Sequence, residues 1–121
     1  KRRCGWLDFV LLRYAAMVNG VDSWAITNVD GLDDLAEIPI CTHYEINGKK
    51  VSLPPAAIQD FENARPILEI MPGWLTDTTS CRRYGDLPAK ARAYLDRIEK
   101  ETGAPVGAIG VGPDRSQTIL R

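Results

Sequence analysis

Helical and extended patterns follow one another along this chain, and their order most limits the fold it can adopt. Residues 7–19 carry apolar side chains at helical i, i+3 and i+4 spacing, and Asn19-Gly20 is a typical helix end. A second helix is predicted to begin at Leu87-Pro88 and to stop at Gly103. Its charged residues are expected only to face water, and they are Lys90, Arg92, Arg97, Glu99 and Lys100.

Short apolar runs bounded by turn residues predict the strands. They cover residues 23–27, 38–46, 66–70 and 106–111. Asn47-Gly48, between the second of these runs and a short extended segment, is a strong hairpin signal. The whole order predicts an α/β fold with helices packed on a small sheet and a β-hairpin. The second long helix lies between two predicted strands, as a crossover connection in one sheet requires.

Composition narrows the functional classes. Hydrophobic residues make up 45% of the 121-residue chain and the formal net charge is -1, which are ordinary values for one soluble globular domain. This charge balance argues against a general nucleic-acid or membrane surface, and no apolar run approaches the length of a membrane-spanning helix. A cytoplasmic protein is therefore expected. Because the chain opens at Lys1 without an initiator Met, we expect it to belong to a larger protein.

The cysteines and tryptophans read as structural residues. A zinc site is not expected, because no CxxC pair occurs and His43 is the single histidine. The thiols are expected to be buried in a reducing compartment, and they are Cys4, Cys41 and Cys81. The indoles are expected to pack in the core rather than to stack on a ligand, and they are Trp6, Trp24 and Trp74.

The corner at residues 26–30, Ile-Thr-Asn-Val-Asp, allows two interpretations. The simpler one is a strand that stops at a turn, because Asn, Asp and the following Gly31 are turn residues. The chemical one is a base-reading site. A carboxylate at Asp30, fixed just past a strand end, can accept two parallel hydrogen bonds from guanine, whose N1-H and exocyclic amine form a donor pair that adenine lacks.

Two further segments fit a nucleotide site, although each also has a simpler explanation. Gly110, Val111 and Gly112 end the last predicted strand, where glycine lets a ligand approach the backbone and free amides can bind a carbonyl oxygen. A plain Gly-Pro turn explains them equally well. The basic cluster containing Arg2 can grip phosphate oxygens, or it can be a solvated terminus.

No catalytic apparatus is recognisable in the sequence. It has no paired carboxylates, no nucleophile elbow and no phosphate loop of the GxxxxGK[ST] type. The sequence therefore nominates no catalytic residue and no metal ligand, and it points to binding rather than to chemistry carried by this chain alone.

Five segments, in order, resemble the adenylosuccinate synthetase family, specifically its carboxyl-terminal portion. KRRCGWLD is similar to the family's GRxRRxGWLD, AITNVDGLDDL to LTKLDVLDGL, and CTHYEINGKKV to CVAYxxxGxxV. ILEIMPGW is similar to xYExxPGW, and the run from LPAKARAYLD to GPDRSQTI is similar to the last helix, strand and tail of the family. Colinear segments over nearly the whole chain are far more specific than any one motif.

The resemblance implies GTP-dependent ligation of IMP and L-aspartate to adenylosuccinate, with Mg²⁺, as the first committed step of AMP synthesis. It implies a cytoplasmic homodimer and a mixed, three-layer piece of a larger P-loop-like nucleotide-binding fold. By motif matching, residues 1–121 supply the guanine end of the GTP site. The carried-over GTP-binding positions are Arg2, Asn28, Val29, Asp30, Gly110, Val111 and Gly112.

Two departures from the family pattern matter. Asn28 stands where the family has Lys, so the packing over the base differs. The family's amino-terminal part, which carries the phosphate loop, the catalytic residues and the Mg²⁺ ligands, has no counterpart in these 121 residues. The alternative prediction is a stand-alone nucleotide-binding or interaction module without catalysis.

Overall fold

The structure, a computed structural model, describes residues 5–121 and shows a mixed α/β fold. This architecture confirms the predicted fold class. In chain order the elements are β1 (Leu7–Asp8), α1 (Phe9–Asn19), β2 (Trp24–Ile26), β3 (Glu37–Ile46), β4 (Lys49–Val51), α2 (Ile58–Glu62), β5 (Arg65–Pro72), α3 (Ala89–Thr102), β6 (Val106–Gly110) and β7 (Thr118–Leu120).

The strands form two small sheets rather than the single predicted sheet. In the first, β3 pairs antiparallel with β5 along one edge, and its other edge holds β4 and the parallel β1. In the second, β6 lies between the parallel β2 and the antiparallel β7. The β3–β4 hairpin was predicted correctly. Asn47 (φ 52°) and Gly48 (φ 79°) both occupy the left-handed region that its tight turn requires.

The predicted crossover was wrong. The helix α3 connects β5 to β6, but these strands belong to different sheets, so it does not link parallel neighbours. The parallel neighbour of β6 is instead β2, about 80 residues earlier in the chain, with Ile26 opposite Ile109. This pairing brings the carboxyl ends of β2 and β6 together, and it positions the candidate site.

Helix ends follow local chemistry. The helix α1 begins two residues later than predicted, because the Asp8 carboxylate accepts hydrogen bonds from the Val10 and Leu11 amides at 2.9 and 3.2 Å and caps the first turn. Gly103 ends α3 in the left-handed conformation (φ 76°), and its amide donates to Glu99 O at 2.8 Å. The end at Gly103 was predicted from the sequence, whereas the cap at Asp8 was not.

The main core lies where α3 meets residues from both sheets. The side chains that α3 contributes are the predicted apolar stripe, Ala91, Tyr94, Leu95 and Ile98. The fully buried partners include Phe9, Ile38, Ile40, Leu87, Val106, Ile109 and Ile119. This shared core fixes the two sheets relative to each other and so fixes the strand ends that they carry.

The charged face of α3 is more than a solvated surface, which corrects the prediction. Arg97 bridges Glu69 on β5 at 2.5 Å and Glu101 one turn along at 2.7 Å. Glu101 also pairs with Arg13 of α1 at 2.7 Å, and Glu99 accepts from the Val106 amide at 2.6 Å. These contacts tie α3 to three neighbouring elements.

The predictions for the cysteines and tryptophans are confirmed only in part. Cys41 and Cys81 are buried free thiols, as predicted, and burial raises the pKa of both. Cys4 lies outside the described residues. Trp74 is buried, but Trp6 is 48% exposed, so its predicted core role is wrong. Within residues 5–121 no helix combines the length and apolarity needed to cross a bilayer.

Candidate functional site

The corner after β2 is a tight 3-10 turn over Val29–Leu32. Asn28 precedes it in the left-handed conformation (φ 61°), which Asn tolerates better than most residues. This backbone conformation by itself favours Asn at position 28. Val29 is buried in the core at 2% exposure. Only its backbone is therefore available to a ligand.

Asp30 carries an unusual oxygen. Its Oδ1 atom is buried and has no hydrogen-bond partner among the residues that the structure describes. Asp30 also lines a cavity of about 370 Å³ with Asp33, Asp34, Leu75, Thr76 and Asp77. Since buried carboxylate oxygens nearly always have partners, an unpaired one on a residue that lines a cavity marks this carboxylate as a candidate to accept from an outside donor.

The end of β6 lies directly against this corner. A Cβ built on Gly110 would sit 3.3 Å from Thr27 Cα and 3.7 Å from Asn28 N, so the two strand ends touch through backbone atoms. The structure thus brings Gly110 together with residues 27–28, as the parallel β2–β6 pairing requires. Arg2 lies outside the described residues.

Val111 and Gly112 continue from this contact towards a short turn. Val111 is fully buried, and its amide already donates to Gln117 O at 2.9 Å, so it cannot also donate to a ligand. The Gln117 side chain covers Gly112, where a Cβ would lie only 2.2 Å from Gln117 Cδ. Gln117 Nε2 in turn donates to Thr79 O at 3.3 Å, across to the loop after β5.

A second cavity of about 700 Å³ opens on the other residues of the corner. It is lined by Gly5, Trp6, Thr27, Asn28, Gly31, Leu32 and Leu35. Asn28 belongs to this cavity and Asp30 to the smaller one, so the turn separates their side chains. The exposed Trp6 ring lies in the wall of the larger cavity, a position that its sequence context did not predict.

Asp33 was missed by the sequence analysis. Its carboxylate is buried at 8% exposure and accepts from Trp74 Nε1 at 2.7 Å, from the Thr78 amide at 2.7 Å and from Thr78 Oγ1 at 2.9 Å. The only signal was the pair Asp33-Asp34, in which nothing distinguishes the buried from the exposed carboxylate. In residues 5–121 no group of three His, Cys, Asp or Glu side chains is arranged to hold a metal ion.

Comparison with known proteins identifies the family. The model of the adenylosuccinate synthetase family matches residues 1–119. The chain belongs to the adenylosuccinate synthetase family. It is 49% identical over 121 residues to the adenylosuccinate synthetase of Mycobacterium marinum and 48% identical over 120 residues to adenylosuccinate synthetase 1, chloroplastic, of Ricinus communis.

The fold comparison agrees with the adenylosuccinate synthetase assignment. The structure of fully ligated adenylosuccinate synthetase from Plasmodium falciparum superposes with a TM-score of 0.93 at 34% identity, over 99% of this chain and 29% of that one. The chain spans about 28% of the length of the curated relatives it matches. The resemblance seen in the sequence motifs is thus confirmed at the level of the family.

Proposed function

We propose that this chain is the carboxyl-terminal, guanine-binding part of an adenylosuccinate synthetase. The full protein would join IMP and L-aspartate to form adenylosuccinate, with GTP converted to GDP and phosphate. Family membership supports the ligase activity. The observation that carries the guanine role is the carboxylate of Asp30, a residue that lines a cavity and whose buried Oδ1 lacks a hydrogen-bond partner within residues 5–121.

Guanine supplies what this carboxylate lacks. Its N1-H and 2-amino groups form two parallel donors, and both can reach one carboxylate. Hydrogen bonds to a charged acceptor contribute about 1.5–3 kcal/mol each, so such a pair discriminates strongly between bases. The adjacent strand end supports the proposal, since the backbone contact of Gly110 with Thr27 and Asn28 places the end of β6 beside the turn that carries Asp30.

The buried carried-over positions, Val29 and Val111, have no side-chain surface to offer a ligand. Val29 and Val111 are buried, and the Val111 amide is occupied by Gln117 O, so we assign contact with the guanine carbonyl oxygen to the Gly112 amide. Asn28 lines the neighbouring cavity and covers one side of the corner. Arg2 would reach towards the phosphates.

Magnesium has no fitting ligand set in the described residues, because no three suitable side chains converge there. The Mg²⁺ that the family resemblance implies would be held by residues of another part of the full protein. The family resemblance also supports a cytoplasmic location and a homodimer for the full protein, and sedimentation of the purified enzyme would test the homodimer.

The test of the guanine role is a change of base preference. Asp30→Asn in the full-length enzyme replaces one carboxylate oxygen with a donor, which opposes the guanine 2-amino group. Xanthine carries a carbonyl oxygen at that position, so the same variant should accept xanthosine triphosphate. We expect kcat/KM for GTP to fall by about 30-fold or more, from the loss of about 2 kcal/mol or more, while KM for IMP stays unchanged.

Asp34→Asn is the matched control. It removes the same charge from the same cavity wall, but its side chain is exposed. It should leave base preference as in the wild type. Equal GTP use by the Asp30 and Asp34 variants, with no gain for xanthosine triphosphate, would remove the base-reading role.

A further inference from the structure

We propose that Asp33 is a positioning residue that sets the specificity of the Asp30 site, an inference that rests on the proposed guanine-binding function. Asp33 ends the turn that carries Asp30, and its amide donates to Asp30 O at 3.1 Å. Any movement of Asp33 is therefore transmitted to the residue that would read the base.

The Asp33 carboxylate holds the opposite wall of the cavity. It binds the Trp74 indole and both donors of Thr78, while residues 75–77 between these two anchors line the same cavity as Asp30. All three partners are donors, and the Thr78 side chain is fully buried. A buried carboxylate with several donors is strongly held, so one side chain fixes both sides of the cavity.

The segment held in this way is conformationally strained. Leu75 has a φ of 45°, in the left-handed region that a Leu side chain rarely adopts. Such a conformation persists only where its surroundings enforce it. The anchors on either side are Trp74, which also packs edge-on against Tyr94, and Thr78. Without Asp33, the cavity wall would relax.

The same loop reaches the other strand end. Thr79 O accepts from Gln117 Nε2 at 3.3 Å, and Gln117 both covers Gly112 and accepts from the Val111 amide. A continuous set of hydrogen bonds therefore runs from Asp33 through the loop to the end of β6. Asp33 thus links both halves of the proposed base site, while its carboxylate is occupied by the Trp74 and Thr78 donors.

The test measures discrimination rather than activity. Inosine triphosphate lacks the 2-amino group, so the ratio of kcat/KM for GTP to that for inosine triphosphate reports the second hydrogen bond to Asp30. This ratio does not depend on how much of the enzyme is folded. In full-length Asp33→Asn we expect the ratio to fall by about tenfold, equivalent to about 1.4 kcal/mol, with KM for IMP unchanged.

A second pair of variants covers the case in which Asp33→Asn does not fold. Thr78→Val keeps the shape but removes the hydroxyl donor, and it should lower the ratio in the same direction. Thr78→Ser keeps the donor and should preserve the ratio. A wild-type ratio in folded Asp33→Asn, or in Thr78→Val if the former cannot be purified, overturns the proposal.

The Asp30→Asn variant separates the two proposals. If Asp30→Asn no longer discriminates GTP from inosine triphosphate while folded Asp33→Asn still does, the guanine role stands and the positioning role is wrong. If Asp30→Asn itself leaves the ratio unchanged, the guanine role fails and the Asp33 proposal fails with it.

Discussion

Gly73→Ala is expected to be among the most damaging small substitutions in this chain. Gly73 follows β5, and its amide donates to Ala36 O at 2.8 Å, so the two backbones run side by side. An alanine Cβ at this position would lie 1.8 Å from Leu35 O and 2.7 Å from Leu35 C. The obstruction is backbone, which cannot rotate away as a side-chain tip can.

The size of the effect follows from this overlap. Non-bonded heavy atoms prefer separations of about 3.5 Å, so the two segments must part by roughly 1.7 Å. Overpacking in a close-packed interior costs about 1–3 kcal/mol, and a backbone clash belongs at the upper end. For a chain of this length, about 3 kcal/mol corresponds to a fall in Tm of roughly 12 °C.

Gly85→Ala provides the control. No heavy atom lies within 4 Å of a Cβ at Gly85, so this substitution changes the unfolded chain in the same way without a clash. Thermal and urea unfolding of both purified variants measure the difference. If the free energy of unfolding of Gly73→Ala were within about 0.5 kcal/mol of that of Gly85→Ala, the close approach would be disproved.

Two further predictions concern polar contacts. Asp8→Ala should lower the free energy of unfolding by about 2 kcal/mol, because it removes both the cap of α1 and the acceptor for the Tyr44 hydroxyl. Asp8→Asn keeps the cap and should lose less. Urea unfolding of the two variants measures the difference. The hydrogen bond from Arg97 lowers the pKa of Glu69 from its ordinary 4.5, so this contact stabilises the fold above that pH and its contribution is lost as the pH falls further. Urea midpoints measured from pH 7 to acid should therefore fall less steeply below pH 4.5 in Glu69→Gln than in the wild type, and equal slopes would contradict the pairing.

Features with local causes could be predicted from the sequence. The cap at Gly103 and the hairpin at Asn47-Gly48 depend on left-handed backbone conformations that few residues other than Gly and Asn adopt. The residue type at each position is therefore enough to predict them. The core stripe of α3 could be predicted because its apolar residues recur at helical spacing. Each of these predictions required only residues within about two turns of one another.

Features set by distant contacts could not be predicted. The strand β6 pairs with β2 rather than with β5, and no local pattern encodes that choice. Asp33 and Asp34 are adjacent and chemically identical, yet only Asp33 is buried, because Trp74 and Thr78 come from a segment some 40 residues away. The unpaired oxygen of Asp30 likewise depends on how the turn packs and not on its sequence.

The charge of the cavity supports the proposal that a base, and not a phosphate, enters it. Four of its six lining residues are aspartates, namely Asp30, Asp33, Asp34 and Asp77. Negative charges that line one cavity disfavour the entry of a further negative group, so a triphosphate is disfavoured at this end. A neutral ring edge rich in N-H donors suits the same walls. The acidic residues would thus orient the nucleotide with its base inward and its phosphates towards another part of the full protein.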